Sequence, residues 1–127
     1  MKWHPKKEGF KRDPDFIVEY EWNPDEEVKM VKRYQGLRSD FLYEGDNPET
    51  DYVHAIYPEF LDEQGKVIEN ERTEAPKKGY ANMWIMYEEQ RPYHKQRIRE
   101  GVVGYFVAGS RKLAKATVIQ VGSLREV

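Results

Sequence analysis

The side chains best suited to move protons near neutral pH in this 127-residue chain are its three histidines, His4, His54 and His94. They lie far apart, and none has a second histidine at the helical spacing of an HExxH zinc site. His94 has the richest surroundings: in Glu88 to Glu100, EEQRPYHKQRIRE, it stands among Arg91, Tyr93, Lys95 and Arg97. An acid–base site for RNA cleavage would pair it with Glu88 or Glu89. With 35% of all residues charged, however, composition alone supplies such neighbours. His54 falls inside Tyr52 to Tyr57 and is read as a strand residue with one ring nitrogen hydrogen-bonded. No serine occupies a G-x-S-x-G elbow, and there is no cysteine, which removes disulfides, thiolate zinc sites and thiol nucleophiles. No GxxxxGK[ST] loop is present to cradle phosphates, so P-loop GTP hydrolysis is excluded. The reading is a protein that is not an enzyme and holds neither metal nor cofactor.

Carboxylates are the other concentrated chemistry. Glu44 to Asp51, EGDNPETD, invites a calcium reading, yet the glycine at the sharp turn and the distal glutamate of an EF-hand loop are missing. What remains is a solvated loop or a contact surface. As a contact surface, Asp46, Glu49 and Asp51 would cover the basic active site of a partner such as a nuclease, the work of an immunity or antitoxin protein. The formal net charge of -2 gives no overall attraction for a phosphate backbone. That balance disfavours the alternative of an RNA-binding or RNA-cleaving protein using Lys29, Arg33, Arg38 and the His94 region. The opening MKWHPKKEGFKRDPD has charge and proline where a signal peptide needs an apolar core, and no run of about 18 apolar residues occurs anywhere. A soluble, cytoplasmic protein with a protein partner is expected.

The elements that must position these groups read as short strands. Gly101 to Val121 is the strongest hairpin: β-branched and aromatic residues flank a turn at Gly109, Ser110 and Arg111, where glycine reaches positive φ without a clash. Ala114 and Ala116 are small where larger residues would be expected, as if another backbone lay close. Phe16 to Trp22 alternates Phe, Val, Tyr and Trp with Glu19 and Glu21, the pattern of a half-buried strand. Asn23 to Glu26 has turn chemistry, and Val28, Met30 and Tyr34 resume the alternation, so a hairpin is expected with Glu19 and Glu21 facing Lys29 or Arg33. Gly36 pivots the chain into a short strand ending at Tyr43. Tyr52 to Tyr57 is another strand, stopped by Pro58, and Gln64-Gly65-Lys66 turns the chain into Val67 and Ile68. Glu69 to Lys78 is polar and irregular. Tyr80 to Tyr87, apolar on both faces, should sit centrally. Glu88 to Glu100 lacks an apolar stripe and should form no more than a short helical turn after Pro92.

Strands without strand–helix alternation define an all-β class: a small closed or partly open antiparallel β-barrel of about six to seven strands, with at most a short helical turn. Residues 1–14 are an N-terminal arm, a solvated tail with Trp3 and Phe10 tacked onto the body, 15–122 the barrel, and 123–127 a C-terminal tail.

Two spans carry a resemblance. Gly36 to Tyr43, GLRSDFLY, resembles the glycine-aromatic-arginine-proline-x-phenylalanine segment of the third domain of elongation factor Tu. Gly109-Ser110-Arg111 with the strand after it resembles that domain's closing glycine-glycine-arginine hairpin. Pro76 to Tyr87 is similar to its proline-glycine strand, so the likeness runs from Phe16 to Val121. The resemblance implies a six-stranded antiparallel barrel whose task is binding: in the factor, this domain helps hold the T stem of aminoacyl-tRNA and meets the exchange factor. Arg38 and Arg111 match the arginines of the two motifs, and Gly36 and Gly109 the glycines. Asp40 replaces a polar amide and Ala108 a glutamate on the surface that faces RNA. An acid at Asp40 repels phosphate, so the implied role is a non-catalytic module acting through protein contacts, with Arg38, Asp40, Ser110 and Arg111 as contact residues.

Overall fold

The computed structural model describes residues 2–25, 28 and 30–127 of the chain. Its elements, in order, are α1 (Lys6–Phe10), β1 (Phe16–Trp22), β2 (Asp40–Tyr43), β3 (Ile56–Phe60), β4 (Lys78–Ile85), α2 (Arg91–Arg97), β5 (Val103–Ala108) and β6 (Arg111–Val121). Short 3-10 turns precede α2 at Glu88–Gln90 and follow β6 at Ser123–Glu126. The strands make one antiparallel sheet in the order β2-β5-β6-β1-β4-β3. It curls until its two edges meet at a single bridge, in which Phe41 and His54 exchange both backbone hydrogen bonds at 2.8 and 2.9 Å. The all-β expectation holds, and the barrel is partly open. No helix among the described residues is long and apolar enough to cross a membrane.

Period-two alternation sets the interior. Phe16, Val18, Tyr20 and Trp22 of β1 point inward and are buried. The rings of Phe16, Tyr20 and Trp22 fill the barrel with those of Phe41, Tyr43, Phe60 and Phe106; Tyr20 lies 5.4 Å from Phe60 and 5.9 Å from Phe106, centroid to centroid. The small residues of the last hairpin serve these rings. Ala114 and Ala116 stand opposite Trp22 and Tyr20 of β1, and a Cβ on Gly104 of β5 would overlap the ring of Phe41. The closeness expected at Ala114 and Ala116 is therefore room for aromatic side chains. The β5–β6 turn has Gly109 at φ 63°, and Gly36 turns the chain before β2 at φ 90°.

Several expectations are corrected. The described residues among 28–34 form no strand with β1; β1 is flanked by β4 and β6 instead. Both neighbours offer longer runs of partners than a hairpin interrupted by Lys32 could. Glu21 accordingly stands in register with Lys78 and Lys115, and Glu19 with Tyr80 and Thr117, while Arg33 turns away to Glu74 (3.4 Å) and the Ala75 carbonyl (2.8 Å). Lys29, and Glu26 of the expected turn, lie outside the described residues. Pro58 does not stop the strand but stands within β3, opposite Met83. β3 is an edge strand, and there a missing N–H disturbs no ladder. β4 is not the centre of the sheet but its fifth strand, covered on its outer face by the arm: Phe10 stacks on Trp84 at 5.3 Å.

Candidate functional site

Two segments far apart in sequence form a cleft. One is the β2–β3 connection, residues 44–55; the other runs from Tyr87 through α2. Pro92 near the start of α2 suits a first turn whose N–H groups have no partner, and Ile98, extended, ends the helix. The opening, about 980 Å³, is lined by Asp40, Asp46, Asp51 and Glu89, by Tyr52, Tyr87 and Tyr93, by His54 and His94, and by Arg97, among others.

Arg97 ties the two segments together. Its guanidinium donates to both oxygens of Asp46, at 2.9 and 3.3 Å, and to the Tyr93 hydroxyl at 2.9 Å, and its central carbon lies over the Tyr43 ring, 3.8 Å from the centroid. The hydrogen bond to Asp46, more than any other influence, holds the guanidinium charged. The acidic connection is braced from within: Asp51 accepts the Asn47 N–H at 2.7 Å, and the Asn47 side chain accepts the Glu49 N–H at 2.8 Å.

Behind Arg97 sit the histidines. His94 is 1% exposed, and its Nδ1 lies 2.7 Å from the Tyr43 hydroxyl. Burial raises the Tyr43 phenol far above its ordinary range, so it keeps its proton. Burial first, then His54 and Arg97, lower the His94 pKa to about 3, which keeps the ring neutral. The His54 ring meets it edge to face at 4.6 Å. Burial and Arg97 lower the pKa of His54 as well, against the opposing pull of Asp46 and Asp40. Neither His54 nitrogen is hydrogen-bonded to a described residue; the bonded ring nitrogen expected of His54 belongs to His94. A general base works best with a pKa near the working pH, and a histidine at about 3 is far from it. Among the described residues no group of three or more His, Asp or Glu side chains is placed to hold a metal ion.

Of the contact residues read from the sequence, Asp40, Asp46 and Asp51 come together on this cleft. Burial raises the Asp40 carboxyl, with His54 opposing, and it makes no hydrogen bond or ion pair with a described residue. Glu49 is exposed on the same loop but does not line the cleft, and Arg38, Ser110 and Arg111 are exposed and do not line it either. His94 joins the cleft with Glu89, not with Glu88. The sequence reading missed Tyr43, Tyr52, Tyr87 and Arg97 as site residues. The i, i+4 spacing of Tyr93 and Arg97 was the available signal for a shared helix face. No protein-family model, curated protein or solved structure matches this chain.

Proposed function

We propose that this protein is a non-catalytic binding module that contacts a basic region of a protein partner through the cleft between the β2–β3 connection and α2. One observation carries the reading: among the described residues the lining holds four carboxylates against a single cation, Arg97, which is already paired with Asp46. Exposed Tyr52, Tyr87 and Tyr93 on the same lining add the amphipathic rings that anchor protein contacts. A cleft of this sign attracts a cationic protein surface and repels a phosphate backbone, which favours protein over RNA. The same charge supports the narrower form of an immunity or antitoxin protein lying over the basic active site of a nuclease. Kinship with the third domain of elongation factor Tu belongs to the proposal too; its support is the positive φ at both motif glycines, Gly36 and Gly109, and the exposure of Arg38 and Arg111.

The test is capture from the native host with the tagged full chain, compared with the double variant Asp51→Lys, Glu89→Lys. Both positions are exposed, so the variant should fold. The wild type is expected to retain a basic protein that the variant loses. Recovery of the same proteins by both would remove the cleft as the contact. Inhibition of a captured nuclease by the chain would select the immunity form.

A further inference from the structure

Resting on the binding reading above, we infer that the group the cleft takes from its partner is the guanidinium of an arginine in a basic segment. The cleft already shows how it holds one. Arg97 lies on the Tyr43 ring, forks onto the two oxygens of Asp46 and reaches the Tyr93 hydroxyl. The same residue types recur on the rest of the lining with no cation of their own: Tyr52, 85% exposed, and Tyr87, 59% exposed, with Asp40, Asp51 and Glu89. Asp40 and Glu89 form no ion pair with a described residue, and Asp51 uses one oxygen on the Asn47 N–H.

A second feature points the same way without relying on the carboxylates. His94 is almost fully buried, lines the cleft and has Nδ1 engaged by Tyr43, while its Nε2 makes no hydrogen bond to a described residue. The adjacent His54 has neither ring nitrogen hydrogen-bonded to a described residue. In the tautomer whose Nδ1–H is donated to the Tyr43 oxygen, the neutral His94 presents Nε2 as an acceptor that a guanidinium N–H can use without meeting a like charge. Arginine suits this lining better than lysine. Its planar cation stacks on tyrosine faces and bonds a carboxylate with two parallel N–H groups, whereas an ammonium is a compact, strongly hydrated point charge.

The experiment uses the full chain and three fluorescently labelled peptides in which serine alternates with arginine, lysine or citrulline, the neutral isostere of arginine. Anisotropy is read at low and moderate salt. The arginine peptide should bind about threefold or more tighter than the lysine peptide, and the citrulline peptide should not bind. Tyr52→Ala and Glu89→Gln should each weaken the arginine peptide severalfold and the lysine peptide less. Equal affinity for the arginine and lysine peptides, unchanged by Tyr52→Ala, would reduce the effect to bulk charge and overturn the inference, as would tighter binding of a labelled oligouridylate. The two readings fail separately. If Asp51→Lys, Glu89→Lys releases the native partner but arginine is not preferred over lysine, the cleft is the contact and the arginine assignment falls. If arginine is preferred and partner capture ignores the double variant, the ligand class stands and the protein-contact reading falls.

Discussion

The side-chain amide of Gln35 meets the backbone of Phe60 as a neighbouring strand would. Its Oε1 accepts the Phe60 N–H at 2.8 Å, while Nε2 donates to the Phe60 carbonyl at 2.9 Å and to that of Ile68 at 3.0 Å. Phe60 ends the edge strand β3, where the curled sheet fails to close; without the amide the buried Phe60 N–H and Ile68 carbonyl would have no partner among the described residues, while the Phe60 carbonyl would keep the Ile68 N–H at 3.1 Å. Gln35→Leu keeps the approximate size of the side chain and removes every one of these bonds. A loss of about 2–4 kcal/mol in urea unfolding is expected, because the orphaned backbone groups bear the desolvation cost. A loss below about 0.5 kcal/mol would mean that water or a shifted backbone replaces the amide without penalty.

Acidification should destabilise the fold through His94. In the unfolded chain this imidazole titrates near its ordinary 6.5, whereas burial beside His54 and Arg97 holds it at about 3 in the fold. Above pH 6.5 both states are neutral there and nothing changes. Below it the unfolded state binds a proton that the folded state refuses, so stability falls as pH drops from about 6.5 toward 3, by up to about 1.4 kcal/mol per pH unit. Burial also lowers the pKa of His54, which adds to this acid limb with the same sign. Replacing His94 by glutamine, which cannot be charged, should flatten the dependence between pH 6 and 4 even if it lowers stability at pH 7. The check is a series of unfolding curves across that range; parallel slopes for the two proteins would place the acid sensitivity elsewhere.

The sequence disclosed what local patterning encodes. The alternation in Phe16–Trp22, the positive-φ glycine of the β5–β6 hairpin and the helical turn at Pro92 are set by neighbours within a few residues. What depends on distant competition was hidden. The alternation at Val28, Met30 and Tyr34, broken only at Lys32, resembles that of a strand, yet β1 takes β4 and β6 as partners because they offer longer ladders. The cleft was half legible for the same reason. The acidic loop announced Asp46 and Asp51 by composition, but the cation that engages Asp46 comes from Arg97, 51 residues later. His94 read as a proton-transfer candidate because a histidine among cations and glutamates resembles one on paper. Its burial against Tyr43, a three-dimensional fact, removes the suitable pKa.

Arg97 should act on the loop rather than on overall stability. Its pairing with Asp46 is partly exposed, with 32% and 21% of the two side chains accessible, and such a pair contributes about 1 kcal/mol or less. Arg97→Met keeps the stem that packs on Tyr43 and deletes the charge. Residues 44–51 should then exchange their amide hydrogens severalfold faster while the strands keep their protection, since the clamp joining the loop to α2 is lost. Faster exchange throughout the sheet would instead make Arg97 part of the fold's framework.

The arm should be locked by one carboxylate. Glu59 alternates outward on β3, yet it is 1% exposed because the arm covers it. It accepts four N–H donors: the indoles of Trp3 (2.8 Å) and Trp84 (3.1 Å), the Lys6 backbone N–H (2.9 Å) and the Asn82 side chain (3.3 Å). Glu59→Gln preserves shape but turns one oxygen into an NH₂ that faces donors, so at least one donor pair must separate. A loss of about 1–3 kcal/mol is expected, the cost of an unsatisfied buried polar group. The two indoles give a local readout. Tryptophan emission should shift to the red as the arm lifts, and the shift should shrink when Trp3 is already replaced by Phe. A variant with wild-type emission and stability would show that the arm holds by its other contacts, the Phe10–Trp84 stack and the Arg12–Ile85 hydrogen bond among them, with the Glu59 bonds replaceable by water.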